Sequence, residues 1–188
     1  MLSIIEKLIA LLLLMLFQPL FLLISILIII SDGFPIIYIQ ENYGKNHKKF
    51  YLYKFRTMKQ GTPEIPTEEF SEPEKYVLWY GKFLRKFSLD ELPQLLNIIQ
   101  GDMKFIGPRP CMVKNEEIVK NLREEKGIEK LKPGITGWAQ VNGRDLNSFS
   151  EKVQLDYYYL LNKSLWLDLK IVLKTFYVVL LRNNNIKH

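Results

Sequence analysis

The chain has 188 residues, enough for one compact domain with a core of its own. Its single cysteine, Cys111, excludes an intrachain disulfide and fits a reducing compartment. The net charge is +6, all of it after residue 30 because Glu6 and Lys7 cancel; this allows anionic partners, although ordinary solubility explains charge alone as well.

The first element in chain order is apolar. Leu8–Ile30 carries no charge and is long enough to cross a bilayer of roughly 30 Å. A secretory leader is disfavoured, because no net charge precedes the run and no small-residue cleavage site follows it. Gln18-Pro19 lies near its middle. Proline removes a backbone donor and clashes with the preceding turn, so a kink is predicted there. Each half is then about 12 to 16 residues, roughly 18–24 Å, short of a full span. The segment either dips into one leaflet and returns or crosses as a kinked helix, and the Gln18 amide is placed to satisfy a freed carbonyl.

After a turn at "SDGFP" (31–35), "FYLYKFRTM" (50–58) alternates and is rich in aromatics, which predicts a strand. Its period puts Tyr51, Tyr53 and Phe55 on one face and Leu52, Lys54 and Arg56 on the other. Residues 59–75, rich in proline and glutamate, read as a surface loop. "YVLWYGKFLRKF" (76–87) predicts an amphipathic helix ending in basic residues.

"KFSLDELPQLLNII" (86–99) then places Asp90 and Glu91 side by side at the head of an apolar run. Ser88 and Glu91 fit a capping box, and Pro93 fits only an early turn, so the pair is expected at a helix N-terminus. The same pair also suits catalysis. Two adjacent carboxylates need cations, and Mg²⁺ held by one or two carboxylates reaches out to substrate phosphates. Lys54, Arg56, Arg85, Arg109 and Arg144 are candidate phosphate partners, because the arginine fork donates two hydrogen bonds at once. An aspartate can also attack phosphorus and form an acyl phosphate. Beyond the pair, "GDMKFIGPRP" (101–110) is rich in turn formers and 112–131 reads as a charged surface helix. "KPGITGWAQVNGRD" (132–145) reads as a glycine-rich loop. "SLWLDLKIVLKTFYVVLLR" (164–182) repeats Leu165, Leu169, Val172, Phe176 and Leu180 at helical spacing, as either a core helix or one lying in a membrane interface. The interfacial reading is preferred, because an apolar anchor already stands at the other end.

In this order, "YKFRTM" (53–58), "SLDELPQLLNIIQGDM" (88–103), "GPRP" (107–110) and "KPGITGWAQVNGR" (132–144) resemble the bacterial sugar transferases known as monotopic phosphoglycosyl transferases, over nearly the whole chain. The resemblance implies transfer of a sugar 1-phosphate from a UDP-sugar to a polyprenyl phosphate such as undecaprenyl phosphate, with release of UMP. It implies that Asp90 is the nucleophile and forms a covalent phosphosugar intermediate. Glu91 would hold Mg²⁺ with it, Lys54 would position the pair, and Arg85, Arg109 and Arg144 would hold phosphates or the nucleotide. It implies a helix-rich, irregular α/β fold: a re-entrant membrane helix over residues 1–31, broken at Gln18-Pro19, and a small cytosolic catalytic domain over 32–188 with interfacial amphipathic helices. The location implied is the cytoplasmic face of the bacterial inner membrane, with membrane lipid as a partner and no nucleic acid.

This chain departs from the usual family pattern in three places. "MLSIIEKL" lacks a basic pair, Gln18-Pro19 stands where relatives carry Ser-Pro, and Asn42 and His47 stand where arginine and glycine are common. Two other readings share parts of the pattern. A tethered basic domain that docks acidic lipids or nucleic acid would leave Asp90-Glu91 as a mere cap. A Mg²⁺-dependent membrane phosphatase would pass the phosphoryl group to water.

Overall fold

The computed structural model describes residues 2–63, 73–114, 117–143 and 148–181. The apolar segment forms two helices, α1 (Leu2–Leu16) and α2 (Gln18–Asp32), with Pro19 in the first turn of the second. They meet at a 60° bend, and no single helix among the described residues is long and apolar enough to cross a membrane. The predicted break is therefore present, and proline causes it: Pro19 has no N–H to give to the preceding turn, and its ring clashes there. Gln18 does not compensate, since its side chain is exposed and bonds to nothing among the described residues.

One face of each helix packs inward. Ala10 of α1 joins Phe50, Leu52, Leu95, Ile98 and Met103, and Ile24 and Ile28 of α2 join Phe55, Leu78, Tyr80 and Leu84. The other face exposes Leu8, Leu12, Leu16, Leu22, Leu23 and Ile30. Both ends are tied to the rest of the chain by ion pairs: Glu6 with Lys104 at 3.4 Å, and Asp32 with Arg56 at 3.0 Å.

A hairpin follows, β1 (Ile37–Tyr43) and β2 (Lys49–Phe55), paired antiparallel from Ile37 opposite Phe55 to Tyr43 opposite Lys49. The predicted strand is thus present, but its faces do not divide as alternation suggests. Leu52 is buried against α1 and Phe55 against α2, while Tyr51 is 59% exposed. Both faces at this end of the hairpin carry a helix, so period two no longer separates core from solvent.

Helix α3 (Trp79–Lys86) matches the amphipathic prediction. Residues 64–72 of the predicted surface loop lie outside the described residues. A 3-10 turn (Leu89–Glu91) leads into α4 (Gln94–Gln100). From α4, Asn97 reaches the outer edge of β2: its amide donates to the Tyr51 carbonyl at 2.6 Å and accepts from the Tyr53 N–H at 3.2 Å. Asn97 is fully buried and stands where a further strand would pair. Asn97→Ala leaves both backbone groups without this partner and costs about 1–3 kcal/mol. The unfolding temperature in detergent should fall by several degrees; an unchanged value would show that the edge does not need this side chain.

The segment read as turns at 101–110 contains β3 (Lys104–Ile106), and the loop read at 132–145 contains β5 (Gly134–Thr136) and α6 (Trp138–Gly143). β3 and β5 pair in parallel, whereas β4 (Cys111–Met112) extends the hairpin sheet in the order β2-β1-β4. Three-residue strands are too short to show a period. Helix α5 (Glu117–Glu125) is shorter than the charged helix expected over 112–131. Helix α7 (Phe149–Asn162) has no counterpart in the sequence reading, although it opens with a true capping box: the Ser148 hydroxyl accepts from the Glu151 N–H, and the Glu151 carboxylate accepts from the Ser148 N–H. In α8 (Leu165–Leu181) the core positions are Leu167 and Ile171. Of the predicted repeat, Leu165, Leu169 and Phe176 are exposed beside Trp166, Leu173 and Tyr177, Val172 is half-buried, and the Leu180 side chain lies outside the described ones. The fold is helix-rich mixed α/β, as expected.

Candidate active site

Asp90 and Glu91 occupy the 3-10 turn between α3 and α4, and each is more than nine-tenths buried. The turn is held from below by Leu89 and Leu92, which pack on the cluster shared by α2, β2 and α3. The capping box expected at Ser88 does not form as such: Ser88 takes a left-handed conformation (φ 55°), and its side chain makes no cap hydrogen bond. Glu91 turns instead to cations. Lys54 Nζ of β2 lies 3.5 Å from its Oε1, and Arg109 donates to the same oxygen at 3.3 Å. Glu91 of the adjacent pair therefore meets two cations, one from strand and one from loop, which offsets the cost of holding a carboxylate out of water beside a second one. Lys54 is mostly covered, whereas Arg109 keeps 44% of its side chain exposed and so forms the rim of the site.

The loop carrying Arg109 is fixed by close backbone approach. Gly107 N–H donates to the Thr136 carbonyl and Gly134 N–H to the Pro108 carbonyl, both at 2.9 Å. A Cβ on Gly107 would lie 2.9 Å from the Gly134 nitrogen, and one on Gly134 would lie 2.7 Å from the Ile106 carbonyl carbon. Only residues without a Cβ let "GPRP" and "KPGITG" meet this tightly. Glycines that read as loop punctuation in the sequence thus set the distance between two segments.

Of the remaining candidates, Arg85 stands in the last turn of α3, half-buried, just before the pair. Its side chain makes no ion pair among the described residues. Arg144 lies outside the described residues. Arg56, expected beside Lys54 as a phosphate partner, is engaged elsewhere. It is buried, pairs with the Asp32 carboxylate, and donates to the carbonyls of Asp32 and Gly33 at 2.9 and 2.6 Å. It therefore caps the C-terminus of α2, where a cation meets unpaired carbonyls. Arg56 lies just past the end of β2, so strand parity does not hold it to the Lys54 face.

The sequence reading missed Asn97, Arg123 and Asp156. Asp156 had a signal: with Val153 and Tyr159 it forms the buried stripe of α7, and a carboxylate on a core stripe requires a partner. No feature of the sequence names Arg123 as that partner.

Among the described residues no group of three or more His, Cys, Asp or Glu side chains gathers to hold a metal. Two adjacent carboxylates suit Mg²⁺, which takes its other ligands from water and phosphate.

A family described as bacterial sugar transferase matches residues 1–182. The chain is 37% identical over 172 residues to the UDP-glucose:undecaprenyl-phosphate glucose-1-phosphate transferase of Escherichia coli (strain K12), covering 88% of this chain and 37% of that protein. It is 42% identical over 144 residues to the uncharacterized sugar transferase EpsL of Bacillus subtilis (strain 168), covering 76% of this chain and 69% of that protein. It is also 37% identical over 172 residues to the UDP-N-acetylgalactosamine-undecaprenyl-phosphate N-acetylgalactosaminephosphotransferase of Aeromonas hydrophila, covering 88% of this chain and 40% of that protein. The chain thus spans well under half of the first and third relatives. Those two carry different sugars at equal identity to this chain.

Proposed function

The chain belongs to the bacterial sugar transferase family, and from that membership we propose that it moves a sugar 1-phosphate from a UDP-sugar to a polyprenyl phosphate, of which undecaprenyl phosphate is the natural candidate, releasing UMP. The observation that carries this reading is the buried Asp90-Glu91 pair, with Glu91 paired to Lys54 and Arg109. An Asp90 carboxylate oxygen attacks the donor's β-phosphorus. The bond from that phosphorus to the bridging oxygen breaks, and UMP leaves with the electron pair. A phosphate oxygen of the lipid acceptor then attacks the same phosphorus, the acyl-phosphate bond breaks, and the Asp90 carboxylate is restored. Splitting the transfer lets one site serve a soluble donor and then a lipid acceptor.

Arg109 at the rim and Arg85 beside the turn would hold donor phosphates, and Arg144 would join them from its motif position. Lys54 keeps Glu91 in place. Mg²⁺ held by Asp90 and Glu91 would offset charge on the transferring group. Because Glu91 already faces two cations, Mg²⁺ should bind weakly until donor phosphates add negative charge.

The acceptor places its phosphate at head-group level and its tail in lipid, so the site must lie at the membrane surface. One feature supports a re-entrant segment: its ends pair with Lys104 and Arg56, two residues of the same domain. With both ends at one surface, two arms of about 22 Å meeting at a 60° bend would reach a depth of roughly 11 Å, within one leaflet. The outward apolar face of α8 would lie in the same interface, with the catalytic domain on the cytoplasmic face of the inner membrane. In sealed inverted vesicles, cysteines introduced as Ser3→Cys and Phe34→Cys should both react with an impermeant maleimide from outside. Reaction at one site only would establish a spanning helix.

The proposed function is tested by UMP release from detergent-purified protein given Mg²⁺, undecaprenyl phosphate and a panel of UDP-sugars. Release dependent on Mg²⁺, with a lipid-linked sugar as second product, is the expected result. Inorganic phosphate in place of UMP would identify a lipid phosphatase.

A further inference from the structure

The Arg109 loop is anchored by backbone bonds on either side and by one side chain. Gly134 N–H holds the Pro108 carbonyl. The Arg109 carbonyl itself accepts a hydrogen bond from the Arg123 guanidinium of α5 at 2.8 Å. The other end of that guanidinium donates to Asp156 of α7 at 2.7 Å. Asp156 keeps 2% of its side chain exposed and Arg123 13%. Burial pushes the Asp156 carboxyl above its usual range, against the pull of Arg123, so the pair depends on staying together.

The loop has few other freedoms. Proline at 108 and 110 fixes φ on both sides of Arg109, and Pro110 keeps Arg109 itself in extended conformations. With the Pro108 and Arg109 carbonyls both held, the direction in which the Arg109 side chain leaves the backbone is set. That direction ends on Glu91 Oε1 at 3.3 Å.

We propose that Arg123, anchored by Asp156, is a positioning residue that aims Arg109 at Glu91 of the Asp90-Glu91 pair, linking α5 and α7 to the candidate site. The inference rests on reading that pair as the phosphosugar-transfer centre. It calls for arginine at 123, because two separate nitrogens of the fork reach the carbonyl and the carboxylate. Lysine keeps the charge beside Asp156 but draws its donors onto one nitrogen, which cannot stand at both fork positions.

The test is a cycle of Arg123→Lys, Arg109→Ala and the double variant, with UMP release as one readout. A second readout, hydrogen exchange of peptides covering 105–113, needs no activity. In the wild-type background Arg123→Lys should lower kcat about tenfold or more, with donor KM and unfolding temperature little changed. In the Arg109→Ala background it should add less than about twofold, because its effect passes through Arg109. Exchange in Arg123→Lys should quicken in 105–113 while peptides of α4 stay as in the wild type. Equal losses in both backgrounds, or unchanged exchange at 105–113, would overturn the proposal. A wild-type protein that releases no UMP from any donor would count against the transferase reading, and the exchange result would still decide whether Arg123 holds the loop.

Discussion

Asp90→Asn should abolish UMP release, lowering kcat by about a thousandfold or more. Asparagine has nearly the same volume and keeps an acceptor oxygen, so the 3-10 turn should persist. What it lacks is the negative charge and the nucleophilic oxygen needed to attack phosphorus. The variant should also be as stable as the wild type or more so, because two adjacent buried carboxylates repel and removing one charge relieves that cost. Kinetics and unfolding temperature should therefore move independently. Incubation with a UDP-sugar and Mg²⁺, followed by intact-protein mass spectrometry, adds a direct check: the wild type should gain the mass of a phosphosugar and Asp90→Asn should not. Retained turnover in Asp90→Asn would refute a covalent aspartyl route. It would leave the turn as a structural cap, as in the tethered-domain reading.

Arg109→Ala should lower kcat by about 100- to 1,000-fold, the usual cost of losing one fixed donor to developing phosphoryl charge. Its side chain is 44% exposed, so the ion pair with Glu91 contributes less than about 1 kcal/mol to stability. Unfolding temperature should barely change. Arg109→Lys should recover only part of the rate, because a point charge cannot offer two parallel donors to one phosphate. If Arg109→Ala raises donor KM and leaves kcat intact, Arg109 serves ground-state binding alone, and its charge is not specific to the transition state.

Several features of this protein follow from local covalent chemistry and were legible in the chain. Pro19 breaks the apolar segment wherever that segment lies, because the missing N–H belongs to the residue itself. The amphipathic α3 and the outward stripe of α8 follow from helical period over two turns or more. The candidate nucleophile and the Arg109 loop stood in short motifs whose residue types carry the chemistry. Arg144 was legible in the same way, but it lies outside the described residues.

The fold decided the rest. Lys54 and Arg56 are two residues apart and looked equivalent; one meets Glu91 and the other caps α2, because different elements pack against each. Ser88 and Glu91 spelled a capping box that does not form, since Glu91 finds Lys54 and Arg109 across the chain, while the box that does form is at Ser148 and Glu151. β3 and β5 exist only as partners of each other, and three residues leave no period to read. Asn97 closes the β2 edge, and Arg123 bridges α7 to the loop beside the Asp90-Glu91 pair. Such roles depend on which distant backbone groups remain unpaired after packing. The sequence alone determined where the chain bends and which residues are candidates for phosphoryl chemistry. Tertiary structure determined which of them meet, because that depends on contacts between residues far apart in the chain.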